Sequence, residues 1–509
     1  MKRTILIFTL VAVLAACKKE SKVVEPQPLE NTLNEDVASY YEIASISLGG
    51  LYAAEITTFD PITKRLFAVN NGTVNKIDVI DISEPSNVRL IHSISMTPYG
   101  GYVNSVAVKD GKLAAAIEAT TKQSAGKVVV FNTTTYAQEA VITVGALPDM
   151  VTFSPDGKYI LTANEGEPNN DYTDDPEGTV SIIKVSDYSV LTINFSAFES
   201  QKTMLASQGF RIFGVGLNFV KDIEPEYIAV SDDSKTAYVT LQENNGIAEI
   251  DIATATIKKI MPLGFKDYSL ASNAIDPSDQ DSKIDFFTQS KVFGIYMPDA
   301  ISFFRYNGTP YLFTANEGDA REYTGTPGLN EMQRVGSSTL DPTAFPTATT
   351  VKLAANLGRL NITKTLGDTD ADGDFDALYS LGARSFSVWN ANTGAQVYDS
   401  KNELDIKAKD LGIYDDGRSD DKSVEPESIA IGRVGNKYIA IVGMERADAF
   451  AIYDITNPTA PQFVKMIRTG DAPEGILFIP ASQSPIAQSL IVVSSENDGV
   501  VKIYKAYKL

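Results

Sequence analysis

The chain has 509 residues, of which 43% are hydrophobic and 9% aromatic, so it can bury a large core. It carries 44 basic and 65 acidic residues, and the formal net charge of −21 excludes nucleic acid as an expected partner while favouring cations. The single histidine, His92, excludes a zinc site built on several histidines and argues against a Ser/His/Asp triad.

The N-terminus has the pattern of a bacterial lipoprotein signal peptide. Residues 1–16 combine a basic start, an apolar run too short to span a bilayer, and small residues before Cys17. We therefore expect cleavage before Cys17 and lipid on its sulfur, with an ordinary signal peptide or a membrane anchor helix as the alternative. Residues 17–39 are polar and predict a flexible tether. The protein would then be extracytoplasmic, touching the outer membrane or cell surface only through its lipid.

A repeat runs through the rest of the chain. The pentapeptide TANEG ends at Gly166 and again at Gly318, each time after a Pro-Asp pair and two β-like runs. Three further copies begin PEYIAV, PESIAI and PEGILF, and two degenerate copies begin AEITTF and VNSVAV. A third and usually a fourth β-like run follow in each unit. Four short strands per repeated unit predict an all-β, seven-bladed β-propeller over residues 40–509, with an open sandwich or solenoid as the alternative.

The two ends of the repeat array predict how the ring closes. The last unit stops after its third β-like run, whereas YEIASISLG, Tyr41 to Gly49, precedes the first unit and matches a fourth run. We expect this N-terminal strand to complete the last blade and protect its open edge. Three intervals between units are much longer than a bare blade, which predicts insertions at about 198–222, 266–297 and 319–384. Long loops on a rigid scaffold often carry recognition or chemistry.

Acidic residues recur at fixed places in the units. The start of a first strand lies beside the end of its antiparallel neighbour, so these positions should meet at one rim. First-strand positions are Glu55, Asn104, Asp149, Glu226, Asp299, Glu427 and Glu474. Second-strand positions are Asn71, Glu118, Glu165, Glu243, Glu317, Glu445 and Glu496.

Crowded carboxylates raise one another's pKa unless cations intervene. We expect Arg321, Arg384 and Arg446, which stand beside the motifs, or a divalent metal to compensate this charge. The alternative is that the acids cap turns and hold the blades in register. An acidic run from Asp415 to Glu427 is less regular and is more typical of a hydrated loop.

The largest insertion contains a calcium-like motif. Its acids follow the first nine positions of an EF-hand loop, with Gly373 at the sharp turn, and are Asp368, Asp370, Asp372, Asp374 and Asp376. Tyr379 stands where the bidentate glutamate belongs, so a ligand must come from elsewhere. We expect a structural calcium ion that stiffens the insertion and presents Arg384 to the rim; an acidic solvated turn is the alternative.

Several ordered motifs together resemble the choice-of-anchor I family over about Tyr41 to Leu509. They include PDMVTFSPDGKYILTANEGEP, PDAISFFRYNGTPYLFTANEGDAREY, DTDADGDFDALYSLGARSFSVW, PESIAIGRVGNKYIAIVGMER and the closing SSENDG. The resemblance implies a secreted or surface-attached β-propeller whose means of attachment varies between members. Some members carry alkaline phosphatase labels, but the resemblance implies no shared reaction.

Three functions follow from these features. The first is a monomeric surface binding or scaffold module whose acidic, calcium-bearing rim recognises an unknown ligand or partner. The second is a calcium-dependent phosphoesterase, in which carboxylate-held calcium activates water and an arginine, Arg321, Arg384 or Arg446, steadies phosphoryl oxygens. Its candidate carboxylates are Asp149, Glu165, Asp299 and Glu317. A glycoside hydrolase is the third, although spacing singles out no carboxylate pair.

Overall fold

The computed structural model describes residues 35–509, and everything below concerns that range. The predicted signal peptide, Cys17 and most of the tether lie outside the described residues. Within residues 35–509, no helix combines the length and the apolar content that crossing a membrane requires.

The fold is all-β, as predicted, and the four-stranded antiparallel sheet is its recurring element. We number these sheets in chain order of their first strands. The first strand of the chain, β1 (Tyr41–Ser47), is the outer strand of the last one, sheet 7. Sheet 1 contains β2 (Thr57–Asp60), β3 (Arg65–Asn70), β4 (Lys76–Asp81) and β5 (Arg89–Ser95). Sheet 2 contains β6 (Val103–Lys109), β7 (Lys112–Ile117), β8 (Ala125–Asn132) and β9 (Gln138–Ala146). Sheet 3 contains β10 (Pro148–Phe153), β11 (Tyr159–Asn164), β12 (Thr179–Lys184) and β13 (Val190–Ile193).

The second half of the chain repeats the element with insertions. Sheet 4 contains β14 (Pro225–Val230), β15 (Thr236–Leu241), β16 (Gly246–Asp251) and β17 (Thr256–Pro262), and β18 (Phe265–Asp267) and β19 (Val292–Ile295) follow. Sheet 5 starts with β20 (Ile301–Tyr306) and β21 (Thr309–Asn316). An insertion then holds β22 (Glu322–Tyr323), β23 (Leu329–Asn330), β24 (Met332–Arg334), β25 (Asn361–Thr363) and β26 (Leu378–Ser380).

The remaining strands complete the series. Sheet 5 ends with β27 (Ser385–Asn390) and β28 (Gln396–Asp399). Sheet 6 contains β29 (Pro426–Val434), β30 (Lys437–Met444), β31 (Ala449–Asp454) and β32 (Gln462–Arg468). Sheet 7 contains β33 (Pro473–Ile479), β34 (Leu490–Ser495) and β35 (Val500–Lys505) beside β1.

The helices are short and lie between the strands. The α-helices are α1 (Lys202–Ser207), α2 (Ala348–Val351) and α3 (Glu403–Asp410). Single 3-10 turns occur at Val37–Ser39, Ser196–Gln201, Ala271–Asn273, Val335–Ser337, Asp416–Arg418 and Glu445–Ala447, and a π-type turn at Ala354–Gly358.

Burial explains why the strand sequences differ with their position in a sheet. The second strands β3, β11 and β15 lie between two other strands of their sheets. They are buried along nearly their whole length and are rich in branched and aromatic residues. The outer strand β5 is mostly exposed and carries polar side chains. His92 lies on this outer strand, exposed, with its ring stacked on Tyr136 at 4.5 Å.

Neighbouring sheets pack through their first strands. The contacts run from β2 to β6, β10, β14, β20, β29 and β33, and β33 in turn lies beside β2. Apolar side chains fill the space between successive sheets; Phe67 and Val69 of sheet 1, for example, pack with Leu113 and Ala115 of sheet 2. The first strands therefore form the inner side of the molecule, and the fourth strands its outside.

The N-terminal strand completes sheet 7, which confirms the predicted pairing. β1 pairs antiparallel with β35, and Tyr41 lies opposite Lys505. The packed structure nevertheless begins before Tyr40: Val37 is buried, and the Glu35 carboxylate accepts a hydrogen bond from the Ser489 amide at 3.0 Å. The prediction that the tether extends to Ser39 is therefore wrong, because residues 35–39 are held against the C-terminal sheet.

The predicted insertions are folded rather than loose loops. β18, β19 and β26 form a three-stranded sheet in which β19 and β26 are parallel, so the second and third insertions share one sheet. A separate apolar core that includes Tyr268, Val335 and Leu378 stabilises this sheet. In the first insertion, Phe198 and Phe219 pack into the core of sheets 3 and 4.

Candidate functional site

A β-bulge begins the first strand of several sheets and redirects one polar side chain. In sheet 3, Pro148 pairs with Asn164 and Met150 with Ala163, which leaves Asp149 as the extra residue. The register shifts at the same place in sheets 2, 4, 6 and 7, at Asn104, Glu226, Glu427 and Glu474. A bulge interrupts the alternation of a strand and re-aims a side chain. In these five sheets the bulge therefore takes the polar residue out of the regular alternation of the strand.

The residue before the proline has a left-handed backbone in four sheets. Leu147, Met297, Glu425 and Ala472 all have positive φ, between 44° and 54°. For a residue with a side chain this conformation is strained by about 1–2 kcal/mol. Its carbonyl accepts a hydrogen bond from the second-strand acid: the amides of Glu165, Glu445 and Glu496 each donate at 2.9 Å. The backbone therefore ties the two acidic positions of a unit together.

These acids surround one open cavity of about 330 Å³. Its lining includes Asn104, Asp149, Glu226, Asp299, Glu427 and Glu474 from the first-strand set, and Glu317 and Glu445 from the second. An adjoining cavity shares Asn104, Asp149 and Glu474 and adds Glu55, Asn71 and Glu496. Glu165 lies next to Asp149 and Glu226, and Glu118 bonds the Tyr102 amide at 3.2 Å. The structure thus brings the predicted rim positions together, and their binding role stays a prediction.

Most carboxylates in and around this cavity hold protons more tightly than ordinary acids. Burial is the largest cause, and it raises the pKa of Asp149 to about 6, of Glu445 to about 7, and of Glu55 and Glu243 to about 8. Burial, with repulsion between neighbours, also raises the pKa well above its usual range for Glu165, Glu226, Asp299, Glu427 and Glu474.

The main compensating cation is Lys422, which the sequence reasoning missed. Its ammonium lies 2.6 Å from Glu317, 3.4 Å from Glu425 and 3.5 Å from Asp319, and the residue is only 9% exposed. Although burial opposes the effect, Lys422 holds the pKa of Glu317 below its ordinary value. The sequence feature that could have identified Lys422 is its position just before the PE pair of sheet 6, but it lies in the run interpreted as a hydrated loop.

Of the three predicted arginines, only Arg446 lines the cavity. It lies 2.7 Å from Glu445 and 3.5 Å from Glu425. Arg321 is buried behind the rim and pairs with Asp222 at 2.7 Å and Glu224 at 2.8 Å, two acids that the sequence reasoning did not select. Arg321 therefore clamps carboxylates as predicted, but not those of the cavity.

The expectation that Arg384 is presented to the rim is wrong. Its guanidinium is 1% exposed and donates hydrogen bonds to three backbone carbonyls, those of Asp276 at 2.9 Å and of Ser419 and Asp421 at 2.8 Å. The Asp276 carbonyl and the other two carbonyls belong to two segments that lie between strands and are distant in sequence. Arg384 holds the two segments together. Arg384 is thus a structural residue and cannot contact a ligand in the cavity.

The calcium-like loop is exposed and already curved. The Asp368 carboxylate accepts hydrogen bonds from the backbone amides of Asp372 at 3.2 Å and Gly373 at 3.1 Å. Asp368, Asp370 and Asp376 have carboxylate oxygens within 4.8 Å of one another. Asp341, from outside the loop, forms a similar group with Asp374 and Asp376. Its oxygen supplies the type of ligand that Tyr379 lacks, so the donor set fits a hard cation such as calcium.

The model of the choice-of-anchor I domain matches residues 55–458, most of the chain. The chain belongs to the choice-of-anchor I family. This match confirms the resemblance drawn from the motifs. Among curated proteins, this choice-of-anchor I chain is 30% identical to Gigasin-3a of Magallana gigas in an alignment of 184 positions, and the match covers 30% of this chain and 64% of that protein. The match thus spans less than two thirds of Gigasin-3a.

Three solved structures are similar to this choice-of-anchor I chain. Hydrazine synthase of Kuenenia stuttgartiensis shares 12% identity at a TM-score of 0.49, covering 90% of this chain and 97% of that chain. The Cps50 (Swd1) β-propeller domain of Myceliophteria thermophila shares 8% at 0.46, covering 92% and 100%. The RRP9 WD40 repeats share 8% at 0.49, covering 93% and 99%. The family assignment stands on the sequence match.

Proposed function

We propose that this protein is a surface-attached, seven-bladed β-propeller that acts as a binding module and holds a cationic group of its ligand in the acidic cavity. The seven four-stranded sheets found within residues 35–509 supply the blades. Two features support a closed ring: the series of first-strand contacts returns to β2, and β1 completes sheet 7. In such a ring the first strands line the central opening.

The charge of the cavity carries the proposal. Its lining includes the carboxylates of Asp149, Glu226, Asp299, Glu317, Asp319, Glu427, Glu445 and Glu474. The cations that line it are Lys422 and Arg446. These carboxylates outnumber the two cations, and burial together with their mutual repulsion has raised the pKa of most of them, so their ionised forms are costly without further positive charge. A ligand cation entering the cavity would relieve this repulsion, whereas an anion would add to it.

The sequence and the family support the proposed attachment. Acylation of Cys17 would tether the propeller through the polar segment that precedes Glu35, which agrees with a choice-of-anchor domain and with a surface or extracytoplasmic location. Calcium bound by Asp368, Asp370, Asp372, Asp374 and Asp376, with Asp341, would stiffen the insertion. Neither feature is needed for the cavity to bind a cation.

A calorimetric titration tests the binding role. Spermidine serves as the probe, added to the full chain in detergent, in chelator-treated buffer at physiological salt. We expect one spermidine per chain, and we expect the double substitution Glu427→Gln/Glu474→Gln to weaken binding by about tenfold or more. The control is Glu84→Gln/Glu199→Gln, which removes the same charge from exposed positions. Equal weakening by both variants would show that only the net charge attracts the probe.

A calcium-dependent phosphoesterase is the second candidate, because Lys422 and Arg446 line the same cavity as the carboxylates. A bound divalent ion and these two cations would together offset the charge of a phosphoryl group. The test is a panel of phosphoesters with and without calcium. Calcium-dependent turnover that Arg446→Gln abolishes would favour the enzyme, and absence of turnover with intact spermidine binding would favour the binding module.

A further inference from the structure

Two groups of three carboxylates lie at the cavity, and they differ in whether a lysine or arginine pairs with them. The first contains Glu317, Glu425 and Glu445, and the second contains Asp149, Glu165 and Glu226. In each group the carboxylate oxygens lie within 4.8 Å of one another. We call them the lysine triad and the open triad.

The lysine triad is neutralised by the protein itself. The Lys422 ammonium lies 2.6 Å from Glu317 and 3.4 Å from Glu425, and Arg446 lies 2.7 Å from Glu445. Close carboxylates in a partly buried place need positive charge to remain ionised. In this triad, a lysine and an arginine of the protein supply the positive charge.

The open triad has no such partner. Within residues 35–509, no lysine or arginine nitrogen lies within 4.0 Å of a carboxylate oxygen of Asp149, Glu165 or Glu226. Lys122 acts on Asp149 and Glu165 through its charge, but its ammonium is bonded to Glu167. Among the described residues, no cation therefore pairs with the open triad as Lys422 pairs with the lysine triad.

A fourth buried carboxylate, Glu243, acts electrostatically on the open triad. Glu243 is only 9% exposed, and its Oε2 atom is buried without a hydrogen-bond partner among the described residues. Its charge acts on both Glu165 and Glu226. Arg321, the strongest cationic influence on Glu243, is bonded to Asp222 and Glu224 instead. A buried oxygen without a partner costs stability unless a ligand or ion satisfies it.

We propose that the open triad, with Glu243 beside it, binds one hard divalent cation such as calcium or manganese. Several carboxylate oxygens from different strands are the ligands that such ions prefer. Asp149 and Glu226 also line the open cavity, which provides a path for the ion and room for water in its coordination shell. The ion would join sheet 3 to sheet 4 and leave Glu427 and Glu474 for the ligand.

The test measures metal binding with the calcium-like loop disabled. In the full chain carrying Asp370→Asn/Asp372→Asn, titration with calcium and with manganese should still show one bound ion per chain. Adding Asp149→Asn or Glu226→Gln should weaken this binding by about tenfold or more. These substitutions lie on different strands, so a folding failure in one leaves the other to decide.

Glu427→Gln is the matched control because it removes one charge from an equivalent bulge position outside the triad. It should change metal affinity by less than about threefold. Equal weakening by Glu427→Gln and Glu226→Gln, or absence of a bound ion in the loop-disabled chain, would overturn the inference.

This inference rests on the proposed function in one point: both require that the cavity is open to solvent. Spermidine binding without metal binding would overturn the metal site alone. Metal binding without spermidine binding would overturn the proposed ligand class alone.

Discussion

The ammonium of Lys422 lies 2.6 Å from the carboxylate of Glu317, although 105 positions separate the two residues in the sequence. Glu317 follows the end of β21, and Lys422 lies in the segment that enters β29. The pair therefore joins sheets 5 and 6 at the rim, and it is shorter than the 2.7 Å pair of Arg446 with Glu445 in the same cavity.

Replacing this lysine should destabilise the protein. Lys422→Met leaves Glu317 and Glu425 with less positive charge, and breaking a buried ion pair typically costs about 3–5 kcal/mol. We expect a decrease of about 3 kcal/mol in the free energy of unfolding at neutral pH, measured by urea denaturation. Lys437→Met is the control, since its ion pair with Asp454 is exposed and should contribute less than about 1 kcal/mol. Equal effects of both variants would contradict the importance of Lys422.

The metal-free protein should lose stability as the pH rises. Burial raises the pKa of Glu55 to about 8 and of Glu445 to about 7, from the ordinary 4.5. Glu55 faces Glu496 and Asn71, and Glu445 faces Arg446. The folded state therefore keeps protons that the unfolded chain releases above pH 4.5, and stability falls until both groups ionise.

The measurement is thermal unfolding in chelator-treated buffer. We expect a higher Tm at about pH 5.5 than at about pH 8, and a smaller difference in Glu55→Gln/Glu445→Gln. Glu317 acts in the opposite direction, but its pKa is lowered, so its contribution is constant across this window. A Tm that rises from the lower to the higher pH would show that these acids are ionised throughout.

Disabling the calcium-like loop should expose the insertion to proteases. Asp370→Asn/Asp372→Asn removes two of the expected oxygen ligands, so calcium should no longer slow cleavage within residues 319–384. Limited proteolysis with and without calcium measures this. The control, Asp232→Asn/Asp285→Asn, changes two exposed acids elsewhere and should keep the protection. Protection that persists in the loop variant would assign the calcium effect to another site.

Arg384 should prove structural rather than catalytic. Arg384→Ala leaves three backbone carbonyls, two in buried and one in partly buried hydrogen bonds, without their charged donor, and each such bond contributes about 1.5–3 kcal/mol. We expect a loss of at least about 3 kcal/mol in the free energy of unfolding. Arg89→Ala, at an exposed ion pair, should cost less than about 1 kcal/mol. A folded Arg384→Ala protein with unchanged stability would refute this role.

Cys17 should determine attachment. Cys17→Ser removes the only thiol of the chain, so incorporation of radioactive palmitate should be lost and the protein should leave the membrane fraction. Ser21→Ala, a nearby change in the tether, should alter neither result. Membrane association that survives Cys17→Ser would point to a different anchor.

The sequence alone was sufficient for the repeating element. Strands and hairpins follow from local patterns of burial and turns, and the antiparallel pairing of β10 with β11 brings Asp149 near Glu165 without any distant contact. For the same reason the motifs identified the family and placed the acidic positions of successive units at one rim.

The identity of the neutralising groups needed the tertiary structure. Lys422, Arg321 and Arg384 lie close to the motifs in sequence, yet their contacts depend on segments that return from distant insertions. The burial that raises the pKa of Asp149 likewise depends on the tertiary structure. Charge interactions depend on distance and on exclusion of water, and the order of residues along the chain determines neither.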